Sequence, residues 1–218
     1  MKKPRICAVI VNNDLKAVRE IAPLVDLFEV RIDLIGDGWQ ETARQLNKPW
    51  IACNRSPGEG GNWLGDEPGR VETLLQATEL GAAIIDIELS TKGLDKIVPR
   101  IKTGGQCLLS YHNLEITPPL EEMVRIVKEQ LKAGADISKV VTTARKVEDN
   151  ISVLQLISEF SGTRLISFAM GALGYTSRVL CPLLGGELTY ASIDTGEESA
   201  PGQMTVNDLT KIYQLMRC

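Results

Sequence analysis

The sequence places a lysine, a histidine, several carboxylates and three arginines where its apolar segments should carry no charge. His112 is the only histidine in 218 residues and closes the run QCLLSYH (106–112). An imidazole is the side chain whose ordinary pKa lets it take up and return a proton near neutral pH. Most histidines are structural, but the end of an apolar run is a place where chemistry is done, and that favours acid–base work for this one. Lys139 stands in SKVVTTA (138–144), directly before Val140 and Val141. Lysine seldom enters an apolar run without a task. Among apolar walls and neighbouring cations it loses part of its preference for the ammonium form, and the free amine is then a nucleophile for a carbonyl. Its place near the start of the run is the argument for the plainer reading, a side chain snorkelling out of the strand entrance.

Glu29, Arg31 and Asp33 are spaced by two in LFEVRIDL (27–34), which puts them on one face of a strand. Asn54 and Arg55 end WIACNRS (50–56), and Asp86 and Glu88 share a face of AIIDIEL (83–89). Such a carboxylate pair could hold a metal, orient a histidine or move protons. On an isolated strand these charges would be a solvated edge. FAMGALGYTSR (168–178) brings glycines, a serine and Arg178 to an expected helix start, a site suited to phosphate or carboxylate. The five cysteines, Cys7, Cys53, Cys107, Cys181 and Cys218, form no Cys-x-x-Cys pair. Their odd number and wide spacing argue against a disulfide framework and a zinc site. One histidine excludes a multi-histidine metal centre and leaves carboxylate-bound magnesium open. Taken together, the set suggests imine chemistry on an acidic keto compound without a redox cofactor.

The elements that must position these groups alternate from end to end. Strands are expected at 6–11, 27–34, 50–56, 83–89, 106–112, 138–144, 163–170 and 188–193, with helical patterns between them. The clearest helix is LEEMVRIVKEQLKAGA (120–135), where acids lead, lysines trail and Gly134 ends the pattern. Others are expected at 147–160 and 204–216. Eight strand–helix units, with strands apolar on both faces, predict a single (β/α)8 barrel domain over residues 1–218. An open doubly wound sheet would carry Gly-x-Gly-x-x-Gly after its first strand, where this chain has VNND. In a barrel the charges above lie at the C-terminal ends of the strands, as do two long glycine-rich loops, SPGEGGNWLGDEPG and DTGEESAPGQ. A net charge of −4 without a basic stripe argues against nucleic acid as a partner. No stretch has the length of a membrane span, and Ile6–Val11 is too short for a signal peptide's apolar region, so a cytoplasmic protein is expected.

Seven segments in order resemble one family: FEVRID (28–33), NRSPGEGG (54–61), IIDIEL (84–89), LLSYHN (108–113), GADISKV (134–140), MGALGYTSR (170–178) and SAPGQMTVNDL (199–209). They cover nearly the whole chain and are similar to the type I 3-dehydroquinate dehydratases. The resemblance implies a (β/α)8 barrel, a homodimer, no metal and no cofactor, and 3-dehydroquinate as the small-molecule substrate in the shikimate pathway. It implies that Lys139 forms an imine with the substrate ketone, that His112 is the general acid and base, and that Glu88 orients His112. Glu29, Arg31 and Arg55 would contact the substrate, Arg178 would grip its carboxylate, and Ser199 and Gln203 would lie in a loop that closes over it. Phe168 departs from the pattern, standing where many members carry methionine. Two other readings remain: a Schiff-base aldolase barrel acting on a sugar phosphate, and a non-catalytic barrel that senses an acidic metabolite. The first leaves the SAPGQ loop unexplained, and the second has no use for a nucleophile.

Overall fold

The structure is a computed structural model that describes residues 3–217; Cys218 lies outside them. Among the described residues nine strands form one sheet: β1 (Ile6–Ile10), β2 (Leu27–Arg31), β3 (Trp50–Cys53), β4 (Ile84–Glu88), β5 (Gln106–His112), β6 (Ile137–Thr143), β7 (Leu165–Met170), β8 (Thr189–Ser192) and β9 (Met204–Thr205). Between and after them run the helices α1 (Leu15–Ile21), α2 (Ile32–Ile35), α3 (Trp39–Arg44), α4 (Glu67–Glu79), α5 (Leu94–Ile101), α6 (Leu120–Lys132), α7 (Asp149–Glu159), α8 (Tyr175–Leu180) and α9 (Val206–Leu215). The strand order is β7-β6-β5-β4-β3-β2-β1-β8-β9 with every recorded pairing parallel, as the barrel reading requires.

Strands β1 to β8 bury both faces, and the two faces meet different partners. Ala8, Ile10, Phe28, Val30, Trp50, Ala52, Ile85, Ile87 and Leu109 pack outward against the helices. Cys7, Leu27, Ile51, Ile84, Leu108, Ile137, Ile166 and Leu188 form an apolar interior floor. Alternation of side chains then places the next inward residues, Glu29, Asp86, Ser110 and Lys139, one layer above that floor. Side-chain caps start three of the helices, α1, α4 and α9. Asp66 caps α4 by accepting from the Gly69 amide at 2.9 Å, and Thr205 caps α9 by accepting from the Asp208 amide at 3.1 Å. Gly134, just beyond α6, adopts φ +98°, a conformation that a side chain disfavours.

Three expectations about local structure are corrected. The second strand stops at Arg31 and the chain turns into α2, so Asp33 reaches Arg31 from a helical turn and not from the same strand face. The third strand stops at Cys53, which leaves Asn54 and Arg55 at the head of the following loop. The ring has a seam, since β7 and β8 share no ladder among the described residues. Two hydrogen bonds span it, Glu187 N to Leu165 O at 2.8 Å and Gly171 N to Pro201 O at 2.9 Å. Between them the rings of Phe168 and Tyr190 meet edge to face, with centroids 6.2 Å apart. Both rings belong to the interior cluster and line the cavity at this side of the barrel. Among the described residues no helix is long and apolar enough to cross a membrane.

Candidate active site

A cavity of about 360 Å³ opens at the C-terminal ends of the strands. Its lining includes Glu29, Arg31, Arg55, His112, Lys139, Arg178, Ser199 and Gln203. The structure therefore brings eight of the nine expected site residues onto one cavity. The ninth, Glu88, sits behind Arg55 and does not reach it.

Lys139 points inward from β6 and is 4% exposed, so it does not snorkel into solvent. Its Nζ donates to Asp86 Oδ2 at 2.8 Å, lies 3.7 Å from Glu29 Oε1 and stands 4.3 Å over the Tyr190 ring. Burial alone pulls its pKa down, but Asp86 and Glu29 outweigh burial and raise it above the ordinary lysine value. This corrects the expectation of a lysine loosened by neighbouring cations. Its nearest charges are anions, and the resting side chain is an ammonium.

Asp86 is shared. Arg55 Nη2 lies 2.7 Å from the same Oδ2, and Ser110 Oγ donates to Oδ1 at 2.6 Å. Burial pushes the carboxyl up, while Arg55 and Lys139 together hold it far below the usual carboxylate range. Arg55 also donates to Ser110 Oγ at 2.6 Å and pairs with Glu88 Oε1 at 3.1 Å. Glu29, Cys53 and Asp86 bring potential metal donors within 4.8 Å of one another. A metal ion there would compete with the Lys139 ammonium and the Arg55 guanidinium for the Asp86 oxygens.

His112 does not meet Glu88. Its Nδ1 lies 2.9 Å from Glu59 Oε2, an oxygen that also accepts from the His112 backbone amide at 3.0 Å. Glu88 turns to Arg55, to the Ser56 amide at 3.0 Å and to Arg70 at 2.6 Å. The physical reason lies in the loop after β3, which folds back over the strand ends and delivers Glu59 to the imidazole. Gly61 permits that path: a Cβ there would lie 2.0 Å from the Arg55 carbonyl oxygen. Burial, with Arg55 and Lys139 nearby, holds His112 well below the ordinary imidazole value, so it rests neutral. Burial also pushes Glu59 up to about 7 against the pull of Arg55.

Arg31 is committed to Asp33 through two bonds, 2.9 Å from Nε and 2.7 Å from Nη2. Arg178 is 2% exposed, and among the described residues no carboxylate pairs with it. Its guanidinium stacks 4.5 Å over Phe168, Nη2 donates to Pro201 O at 3.3 Å, and Nε has no hydrogen-bond partner among the described residues. Burial lowers it to about 10, opposed by Tyr175. A desolvated guanidinium without an anion is a site for one. Ser199 and Gln203 bond each other, the Ser199 amide donating to Gln203 Oε1 at 2.8 Å, on the loop that covers this end of the cavity. Gly202 lets that loop seat, since a Cβ there would lie 2.4 Å from Gly171 O.

The sequence profile of the type I 3-dehydroquinases matches residues 6–217. A 3-dehydroquinate dehydratase from Dehalococcoides mccartyi is 41% identical over 98% of this chain and 96% of its own length. The chain belongs to the type I 3-dehydroquinase family. With the family comes the enzyme class, a hydro-lyase. A Methanosarcina barkeri 3-dehydroquinate dehydratase is 35% identical over 99% of this chain and 96% of its own length. The 3-dehydroquinate dehydratase structure from Geobacillus kaustophilus superimposes with a TM-score of 0.87 at 27% identity, covering 99% of this chain and 92% of that one.

For this 3-dehydroquinase the Glu59 carboxyl gives a stability test. Its folded pKa of about 7 stands above the ordinary 4.5, and its side chain is 10% exposed. The folded state therefore holds the proton more tightly than the unfolded chain does. Glu59 costs nothing below pH 4.5, and its cost grows through the window from 4.5 to 7, reaching roughly 3 kcal/mol above it. Glu59→Gln removes that cost. The difference in Tm, variant minus parent, is expected to increase between pH 5 and pH 8 in thermal unfolding. A difference that stays flat with pH would contradict the burial of an ionising carboxylate at this position.

Proposed function

We propose that this chain dehydrates 3-dehydroquinate to 3-dehydroshikimate through an imine on Lys139. The observation that carries the reading is a single cavity with a buried amine, a neutral imidazole and an anion-free buried guanidinium on its walls. The substrate carboxylate would take the open face of Arg178, and its ring hydroxyls would meet Glu29, Arg31 and Arg55.

The resting ammonium of Lys139 must first give up a proton, which the ketone oxygen takes up on its way to leaving as water, so His112 stays neutral. The free amine adds to the C3 ketone, and water leaves to form the protonated imine. That cation draws electrons from the adjacent C2–H bond, so the C2 proton becomes acidic. His112 takes it on Nε2 while Glu59 accepts from Nδ1–H and fixes the tautomer. The electron pair of the C2–H bond forms the C1–C2 double bond through the enamine, and the C1 hydroxyl leaves as water with the proton from His112. Hydrolysis of the imine releases the enone and returns the amine. Glu88 has no direct part in these steps and works by holding Arg55.

The test is a continuous assay at the absorbance of the enone product. Steady growth with 3-dehydroquinate supports the reading, and no signal together with consumption of a sugar phosphate would replace it with an aldolase. Glu59→Gln is expected to lower kcat about tenfold, less than the roughly 10²-fold or more lost when a general base itself is removed, because the imidazole keeps its hydrogen bond and loses the facing charge. The homodimer and place in aromatic amino acid biosynthesis that accompany this reading rest on the family resemblance, and the cytoplasmic location rests on the short apolar runs of the sequence. Sedimentation of the purified chain checks the first.

A further inference from the structure

Arg70 is 1% exposed although it sits on α4, outside the strands, and no step above uses it. Its guanidinium lies 2.6 Å from Glu88 Oε2 through Nη1, and the same nitrogen donates to the Asn54 carbonyl at 2.8 Å. Nη2 donates to Thr91 Oγ1 at 2.9 Å and to Glu67 Oε1 at 2.7 Å, and Nε donates to Glu67 Oε2 at 2.8 Å. The group is fully committed, yet only Glu67 among its charged partners touches solvent.

These contacts continue into the cavity. Glu67 pairs with Arg70, Arg70 with Glu88, Glu88 with Arg55 at 3.1 Å, Arg55 with Asp86 at 2.7 Å, and Asp86 with Lys139 at 2.8 Å. Charges alternate along the row, so each ion's pull on the next depends on what holds it from behind. Arg55 stands between two carboxylates and is closer to Asp86. Arg70 makes that possible by compensating Glu88 from the far side. Without it, a buried carboxylate would be left with Arg55 as its only cation, a costly state that draws the guanidinium away from Asp86. Asp86, less engaged, would then hold the Lys139 ammonium more tightly.

We propose that Arg70 is a positioning residue for this site: by clamping Glu88 it keeps Arg55 on Asp86, which leaves the Lys139 amine able to give up its proton. The inference rests on the imine reading of Lys139. On sequence alone Arg70 looks like half of an ordinary surface pair with Glu67 one helical turn away, and the burial is what sets it apart.

The experiment compares Arg70→Gln with Arg70→Lys across pH. The glutamine keeps hydrogen-bonding capacity toward Asn54 and Thr91 but carries no charge; the lysine keeps the charge and loses the fork. For R70Q kcat/KM is expected to fall roughly tenfold at pH 7 and pH 9 alike, the mark of a Lys139 ammonium whose pKa has risen by about one unit, and the gap closes only at more alkaline pH. R70K is expected to stay within about threefold of the parent at pH 7. Equal losses in both variants at every pH, or a parental profile in folded R70Q, would overturn the proposal and leave Arg70 a structural residue. Should R70Q not fold, R70K decides: a parental profile supports the role of the charge, and a one-unit displacement with the charge retained overturns it. Borohydride treatment of the parent with 3-dehydroquinate separates the two layers of inference. If Lys139 carries no adduct, the imine reading itself has failed. If it carries one while R70Q titrates as the parent does, only the role of Arg70 is lost.

Discussion

Lys139→Ala is expected to lower kcat by at least about 10⁴-fold, corresponding to some 5.5 kcal/mol of barrier, while substrate binding through Arg178 persists in part. The loss is large because, among the described residues, no other amine lines the cavity. Without the imine the C2 proton stays as weakly acidic as that of an ordinary ketone, and His112 has little to act on. Binding survives because Arg178 holds its place through Phe168 and Pro201, contacts that do not involve Lys139. The substitution also removes the ammonium between Asp86 and Glu29, so Tm is expected to fall as well; Asp86 keeps Arg55. Steady-state kinetics together with equilibrium binding of 3-dehydroquinate checks both halves. Turnover within tenfold of the parent would remove Lys139 from the reaction.

His112→Ala is expected to cost about 10³-fold in kcat, within the usual range for losing a general acid–base group. The imine should still form, because the attacking nitrogen and the sink for electrons are intact. Intermediate should therefore accumulate, and borohydride should trap as much substrate on this variant as on the parent or more. An H112A enzyme that neither turns over nor traps would mean that His112 is needed before the imine, as the base that frees Lys139. The distinction matters because Lys139 rests protonated beside Asp86.

The charges on strands were legible because a parallel strand buried on both faces should carry none, and period-two spacing told which of them shared a face. That reasoning brought Glu29, Lys139 and His112 to one cavity. It failed for Glu88, where spacing correctly gave the face but could not give the depth. Glu88 sits behind Arg55, and Arg70 reaches it from a helix 18 positions earlier in the chain. Glu59 was missed because no periodicity governs a loop. The available signal was an acid between glycines in SPGEGG, directly after a strand end on the functional face. The protonation of Lys139 was misjudged for a related reason: the sequence supplies charges of both signs, and only the packed ring decides that Asp86 is the near one. The seam between β7 and β8 was invisible as well, since the residue pattern of a strand does not say whether its edge pairs with the next one.

The most direct test of the lysine's role is reduction with borohydride in the presence of 3-dehydroquinate, followed by mass analysis of the digested protein. The predicted result is an added mass on the peptide containing Lys139 equal to the bound ketone less its oxygen atom, absent without substrate and absent in Lys139→Ala. Full turnover of 3-dehydroquinate with no adduct on that peptide, or an adduct on any other lysine, would contradict it.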